Sequence, residues 1–562
     1  MKKRGMRLLS LLLAVLLLVG CTPSNTEPTT APEESGAVQA TAGSETAPAT
    51  ADLTEAALAQ IHELGTSPDD NYRTWYEMFV YSFCDSNGDG IGDINGVISK
   101  LDYLQELGIT GIWFMPIHPG QSYHKYDVRD YYDIDPDYGT MADFENLLAE
   151  CEARGIKVIT DLVLNHTGDD HEWFLTACEY LKNLPAGAEP DAEECPYVDY
   201  YFFGKTADPG YHAIEGSEWY YEGQFSPDMP DLNLANEAVR AEIKAIMEFW
   251  IGKGVGGFRL DAVKEFYSGN TPANVGVLSW IQEIATSIKE DCYLVAECWD
   301  SFASITEYYT SGLTSFFDFP FGNSSGKITA VLRGAGNADP VASYSRALQQ
   351  ANEAYSGSNP DYIDAPFLSN HDVGRIAGFV NRDENKMKLA GAMNILMSGS
   401  CFIYYGEEIG MPGSGNDPSK HAPMYWNAAR DNGTTNPPPE CEIPEEYPCG
   451  SLEEQAGDDA SIYNYYRQAI AIRNALPVIS HGDTTAEEAL NANCISAQRK
   501  TWGEEECIIL MNIQDAAATV DLSAYADWTL AASLSADGGA ISLDGMTLSM
   551  SAYGVAVLLP AA

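Results

Sequence analysis

The chain is 562 residues long, too long for one ordinary domain and long enough for a large barrel with appendages. Its formal net charge is −51, and removal of the basic residues near its amino terminus would leave it more acidic still. That sign excludes nucleic acid and anionic lipid surfaces as partners, since both need positive charge. It suits a soluble exoenzyme on a neutral polymer, and equally a chain kept acidic for solubility alone.

Lys2, Lys3, Arg4 and Arg7 precede an apolar stretch, residues 8–19, that is too short to span a bilayer. The run Leu18-Val19-Gly20-Cys21 resembles the bacterial lipobox, whose cysteine is diacylated and becomes the new amino terminus. Residues 1–20 are therefore expected to be a lipoprotein signal peptide and Cys21 the lipid anchor. An ordinary signal peptide ending beside a cysteine is the alternative. Residues 22–51, rich in Thr, Pro, Ser, Ala and Glu, hold too little apolar surface to offset chain entropy, and a disordered tether is expected over 21–70. The expected location is extracytoplasmic, lipid-anchored at the cell membrane.

Short apolar runs then alternate with helical patterns, the signature of βα units. Strands are predicted at 75–82, 109–116, 157–164, 256–261, 293–297, 315–319, 365–369 and 401–405, with amphipathic helices at 96–107, 143–154 and 237–252. Eight such units predict an α/β fold, a (β/α)8 TIM barrel with its site at the carboxyl ends of the strands. The barrel is expected over 71–165 and 237–477. Residues 166–236 between them are too many for a structureless loop and are expected to form an inserted domain. After the helix predicted at 462–475, residues 478–562 read as short alternating strands of an antiparallel β-sandwich.

Twelve cysteines include Cys21, which leaves an odd number. Cys178 with Cys195, and Cys441 with Cys449, are close enough in sequence for disulfides, whereas Cys292 and Cys401 sit in apolar runs and read as buried thiols. No Cys-x-x-Cys pair supports a zinc or redox site.

Four strand ends gather the polar chemistry: Asp161-Leu-Val-Leu-Asn165-His166, Gly257-Phe-Arg259-Leu-Asp261-Ala-Val-Lys264, Val295-Ala-Glu297-Cys-Trp299 and Leu368-Ser-Asn370-His371-Asp372. A lone Asp at a strand end is often a helix cap, and Arg259 with Asp261 alone would read as a structural ion pair. Together, in this order and spacing, the segments resemble the four signature regions of the α-amylase family, glycoside hydrolase family 13, over residues 71–562. The resemblance implies retaining cleavage of α-glucosidic bonds in starch, maltodextrin or related glucans, with Asp261 as nucleophile, Glu297 as general acid/base and Asp372 as the carboxylate that holds sugar hydroxyls. It also implies that Tyr126 is a stacking platform, that His166 and His371 donate hydrogen bonds to the sugar, and that Lys264 contacts sugar beyond the scissile bond. Retaining chemistry needs its two carboxyl groups about 5–5.5 Å apart. Arg259, two residues before Asp261, lies on the same strand face and brings a positive charge to it. Glu297, near other carboxylates, is expected to have a raised pKa. A binding-only relative would have lost the nucleophile or the acid, and both are present here.

A second constellation follows the first strand. Asp85, Asn87, Asp89, Ile91 and Asp93 place oxygen donors at alternate positions among glycines, as a hard cation requires. The loop resembles half an EF-hand without the Glu of the twelfth position. It matches better the calcium loop of oligo-1,6-glucosidase-like family members, in which a backbone carbonyl, here that of Ile91, also contributes. Structural Ca2+ is expected; magnesium or a metal-free Asx-rich turn is the alternative.

Met229-Pro230-Asp231-Leu232-Asn233 resembles an intermediary subfamily between oligo-1,6-glucosidases and neopullulanases, whose characterised members are mainly α-amylases. Asn165 and Asp231 would alternatively serve the calcium site that many amylases have between barrel and insert, but Glu265 stands where the resemblance implies His. Tyr123, in place of the Asp of exo-acting relatives, with Ala262 and Lys264, favours an open cleft and α-1,4 cleavage. Neopullulanase-like, α-glucosidase or transglycosylase activity on α-1,6 bonds is the rival. The aromatic run Trp219, Tyr220, Tyr221 is expected to be core of the insert rather than a sugar platform.

Overall fold

The computed structural model describes residues 70–561 apart from 186, 335–341, 444–446 and 493. The expected signal peptide, Cys21 and all but the last residue of the tether lie outside the described residues. The described chain first lays down β1 (Thr74–Met78), β2 (Gly111–Phe114) and β3 (Lys157–Leu162), short runs of mostly aromatic and β-branched residues that are almost wholly buried. Three shorter strands follow: β4 (Phe203–Gly204), β5 (Tyr211–Ala213) and β6 (Tyr220–Glu222), paired antiparallel as a separate small sheet. The parallel run resumes with β7 (Gly257–Leu260), β8 (Tyr293–Ala296), β9 (Ser315–Phe316) and β10 (Cys401–Tyr404). Seven of these strands form one sheet in the order β10-β1-β2-β3-β7-β8-β9. Residues 365–367 complete the ring: Ala365 bridges Phe317 just beyond β9, and Phe367 bridges Phe402 in β10, both parallel. The expected barrel is therefore closed.

The seventh predicted strand, 365–369, is reduced to those two bridges because Pro366 has no amide hydrogen for a ladder; only its carbonyl takes part, accepting from Phe402 N at 2.8 Å. The first predicted strand also overran. After Met78 the chain turns into a short helix, Val80–Phe83, within an apolar run that does not by itself distinguish strand from helix. The helix predicted at 96–107 is two, Ile94–Ile98 capped by Asp93 and α1 (Leu101–Leu107), separated at the non-helical Lys100.

Helices α1, α2 (Met141–Ala153), α4 (Glu237–Lys253) and α5 (Thr271–Ile288) return the chain between successive parallel strands; α3 (Glu172–Asn183) belongs to the insert. Their ends follow local chemistry. Thr140 and Asp143 form a reciprocal capping box on α2, and α4 runs from the Asn236 cap to Gly254, whose left-handed φ of 112° ends it. In the insert Phe174 of α3 packs edge-on against Tyr201 and Tyr221. Trp219 and Tyr221 are buried, so this aromatic run is indeed mainly core.

The two expected disulfides do not form. Cys178, Cys195, Cys441 and Cys449 are free thiols, as are all the described cysteines. Cys178 and Cys195 are buried in the main apolar core, where each fills space as a small hydrophobe. From Asp483 onward a five-stranded antiparallel sheet and a three-stranded one share a separate core that includes Ile508, Leu510, Val520, Leu548 and Leu558, the expected sandwich.

Candidate active site

Strand alternation aims Arg259 of β7 at the barrel centre, and the side chain is 0% exposed. Its guanidinium is the hub of the site. Nη1 donates to both oxygens of Asp161 at 3.0 Å and pairs with Asp261; Nη2 donates to Glu297 Oε2 at 2.8 Å. Removing a guanidinium from water is costly unless it is paired. Here three carboxyl groups surround it, and the ring of Trp113 lies 5.2 Å from its centre.

One turn joins the two working carboxyls. Ala262, directly after Asp261, has a left-handed φ of 46°, which a β-branched residue adopts only under strain. That turn points the Ala262 amide at Glu297 Oε2, 2.9 Å away. Burial pushes the Glu297 carboxyl up to about 7; Asp261 and Asp372 add to the rise and Arg259 opposes it. The acid form of Glu297 is thus available near neutrality.

The opposite wall is built on His371. Its Nδ1 lies 2.7 Å from Glu77 Oε1 of β1, and its Nε2 lies 2.7 Å from the Tyr126 hydroxyl and 3.1 Å from Asp372 Oδ2. The Tyr126 ring stacks on the imidazole at 5.4 Å, and its hydroxyl donates to Asp161 Oδ2 at 3.0 Å. Burial alone would lower the His371 pKa, but Asp372 and Glu77 outweigh it and hold the ring well above its ordinary value. Reciprocally, burial would raise Asp372, but the His371 charge outweighs it and holds this carboxyl well below the usual range.

His166 fixes Nε2 against the Tyr126 carbonyl at 3.2 Å, while its buried Nδ1 has no hydrogen-bond partner among the described residues. Lys264 donates to the Trp299 carbonyl at 3.0 Å and lines, with Phe225, Ala262, Glu265, Glu297 and Trp299, a cavity of about 410 Å³. Phe225 and Trp299 stand 49% and 46% exposed at its mouth. Tyr123 donates to Asp417 Oδ2 at 2.8 Å. All eight sequence-predicted catalytic and sugar-binding residues therefore meet at the carboxyl ends of the strands. Sequence reasoning gave no role to Asp161, Glu77 or Phe225. Glu77 had left a signal, a lone acid inside the apolar strand Thr74–Met78.

The loop after β1 winds round its own side chains. Asp85 accepts from the amides of Asn87, Gly88 and Gly90, Asn87 from Asp89, and Asp89 from Ile91, all within 3.0 Å. Asp93 caps the next helix through Gly96 N at 2.7 Å. Gly88 and Gly90 have φ of 85° and 95°, as so tight a loop requires. Among the described residues no three His, Cys, Asp or Glu side chains gather as a ready metal cluster. Only oxygen donors occur here, amide and carbonyl as well as carboxylate, which fits a hard cation and no soft one.

Residues 77–482 match the family described as "Alpha amylase, catalytic domain". Alpha-amylase 3 of Dictyoglomus thermophilum is 40% identical over 419 residues, covering 73% of this chain and 78% of that protein. Eubacterium rectale Amy13B superposes with a TM-score of 0.86 at 44% identity, covering 90% of this chain and 99% of that one. The alpha-amylase from H. orenii gives a TM-score of 0.72 at 32% identity, with 87% and 100% covered.

Proposed function

The chain belongs to the alpha-amylase family, and from that premise we propose that it is a retaining glucan hydrolase cleaving α-1,4-glucosidic bonds in starch and maltooligosaccharides. The observation that carries this is the single buried guanidinium of Arg259 bridging Asp261 and Glu297. One planar fork pairs Asp261 through Nη1 and Glu297 through Nη2, which keeps the two carboxyls close together as a retaining pair requires and leaves little of the wider gap an inverting enzyme keeps for water.

In the first step an Asp261 oxygen attacks the anomeric carbon, the glycosidic C–O bond breaks, and Glu297 gives its proton to the leaving oxygen. The sugar is then an ester of Asp261. In the second step Glu297, now a carboxylate, takes a proton from water, the hydroxyl adds to the anomeric carbon, and Asp261 leaves as carboxylate. Asp372 and the charged His371 grip sugar hydroxyls, with Tyr126 as the stacking face. The open cavity beyond Glu297, with Lys264 at its edge, supports an internal cut, because the leaving chain has room to continue.

Ca2+ in the loop 85–93 would be structural, with Asp85, Asn87, Asp89, Asp93 and the Ile91 carbonyl as its donors, pinning the segment that follows β1. Cys21 would carry the lipid that holds the enzyme outside the cytoplasmic membrane. Time-resolved product analysis on maltoheptaose, panose and pullulan tests the bond choice. Mixed short maltooligosaccharides from maltoheptaose are expected; glucose from panose with maltoheptaose left intact would overturn it.

A further inference from the structure

We propose that the side-chain amide of Gln224 takes the place of a cation at the joint between insert and barrel, and that this clamp holds the insert's loop against the catalytic rim. Three separate segments meet there. Asn165 follows β3, Asp231 closes the insert, and Glu265 follows β7. Their oxygens make the kind of set a hard cation would take, at the joint where the resemblance offers a calcium site as the alternative reading of Asn165 and Asp231. The hydrogen bonds do not leave those oxygens open. Gln224 Nε2 donates to the Glu265 carbonyl at 2.9 Å and reaches Asn165 Oδ1 at 3.4 Å. Its backbone N–H donates to Asp231 Oδ2 at 3.1 Å, and Asn165 Nδ2 donates to Asp231 Oδ1 at 3.0 Å. A carboxamide carries two N–H donors on one nitrogen, so it can serve two acceptors at once without bringing any charge. The oxygens of Asn165 and Glu265 both face that nitrogen, so a cation could enter only if the Gln224 side chain swung out.

The clamp has a functional neighbour. Phe225 is the next residue; its ring lies 5.5 Å from that of His166 and lines the cavity beside Glu297. Gln224 ties the base of this aromatic to the segments that follow β3 and β7, which carry His166 and Asp261. It is a positioning residue: it touches no reacting atom, but it fixes where an arriving sugar meets Phe225.

The test uses the full chain. Calcium bound at equilibrium is counted for the wild type and for Asp231→Asn, which keeps an acceptor for Asn165. The same count in both is expected, whatever the loop 85–93 binds; one equivalent fewer in Asp231→Asn would overturn the proposal. Gln224→Glu replaces the amide donors with a carboxylate and is expected to gain one calcium, with a melting temperature that rises on calcium addition. No gain would show that the amide is not what excludes the ion. Gln224→Ala is expected to raise KM for maltoheptaose by about 3- to 10-fold with kcat within about twofold, as loss of roughly 1 kcal/mol of binding would. Gln224→Lys, a fixed charge with donors for the same oxygens, is expected to restore KM. Unchanged KM in Gln224→Ala would overturn the positioning role. The calcium counts do not depend on which glucan bond is cut, so they separate a failure here from a failure of the proposed activity.

Discussion

Replacing Glu297 with glutamine should kill the enzyme and stabilise it, and the second effect depends on pH in a calculable way. In the unfolded chain this carboxyl titrates near its ordinary 4.5; in the fold, burial among other acids moves it to about 7. Between those values the folded chain binds a proton the unfolded chain has released, so stability falls as pH rises, and the loss is complete above about 7. At about 1.4 kcal/mol per pKa unit the cost is about 3 kcal/mol. Glutamine mimics the protonated acid at every pH: its oxygen can still accept from the Ala262 amide and from Arg259. The variant should therefore unfold with nearly wild-type stability at about pH 5 and gain up to about 3 kcal/mol over it at about pH 8, a rise of several degrees in melting temperature. Calorimetric unfolding of both proteins across that range measures the gap, and starch hydrolysis should fall by about 10²- to 10⁴-fold. A gap that does not widen with pH, or a wild type more stable at the alkaline end, would refute the assignment of a raised pKa to Glu297.

Asp261→Asn should lose turnover by at least about 1,000-fold while binding glucan with near wild-type affinity, read by activity on starch and by affinity electrophoresis; retained activity would move the nucleophile elsewhere. Chelation should lower the melting temperature by a few degrees, and Asp89→Ala should make stability indifferent to calcium, because it removes one of the proposed carboxylate donors. Indifference already in the wild type would leave the loop a metal-free turn. Cys21→Ser should abolish incorporation of labelled fatty acid and shift the enzyme from the membrane fraction to the soluble one, and a label retained in that variant would exclude Cys21 as the anchor.

The barrel was legible because its strands are short apolar runs separated by amphipathic helices, and the chemistry because Arg259, Asp261, Glu297 and Asp372 sit where those runs end. What sequence could not give was the closing of the ring at Pro366, where a proline turns a strand into two bridges, and the end of β1, where the apolar run continues into a helix. The disulfides failed for a similar reason. Spacing brings two thiols within reach, but packing decides whether they face each other, and Cys178 and Cys195 went into the core instead. Asp161 stood inside a quoted signature and Glu77 inside a predicted strand. Their roles are relations across the barrel, to Arg259 and His371, and only the folded chain brings those partners together. Gln224 carried no signal at all, since an amide acting in a metal's place looks like any other polar loop residue.

The fork of Arg259 has one more consequence. Acid and nucleophile are wired to the same side chain, so neither can be retuned without disturbing the other, and a lineage that alters this arginine risks the whole reaction in one step. Phe225 and Trp299, exposed and on loops, and Asp417, exposed at the start of a short helix, stand outside that circuit. A change at any of them would alter how a glucan chain is received without touching the side chains that break the bond.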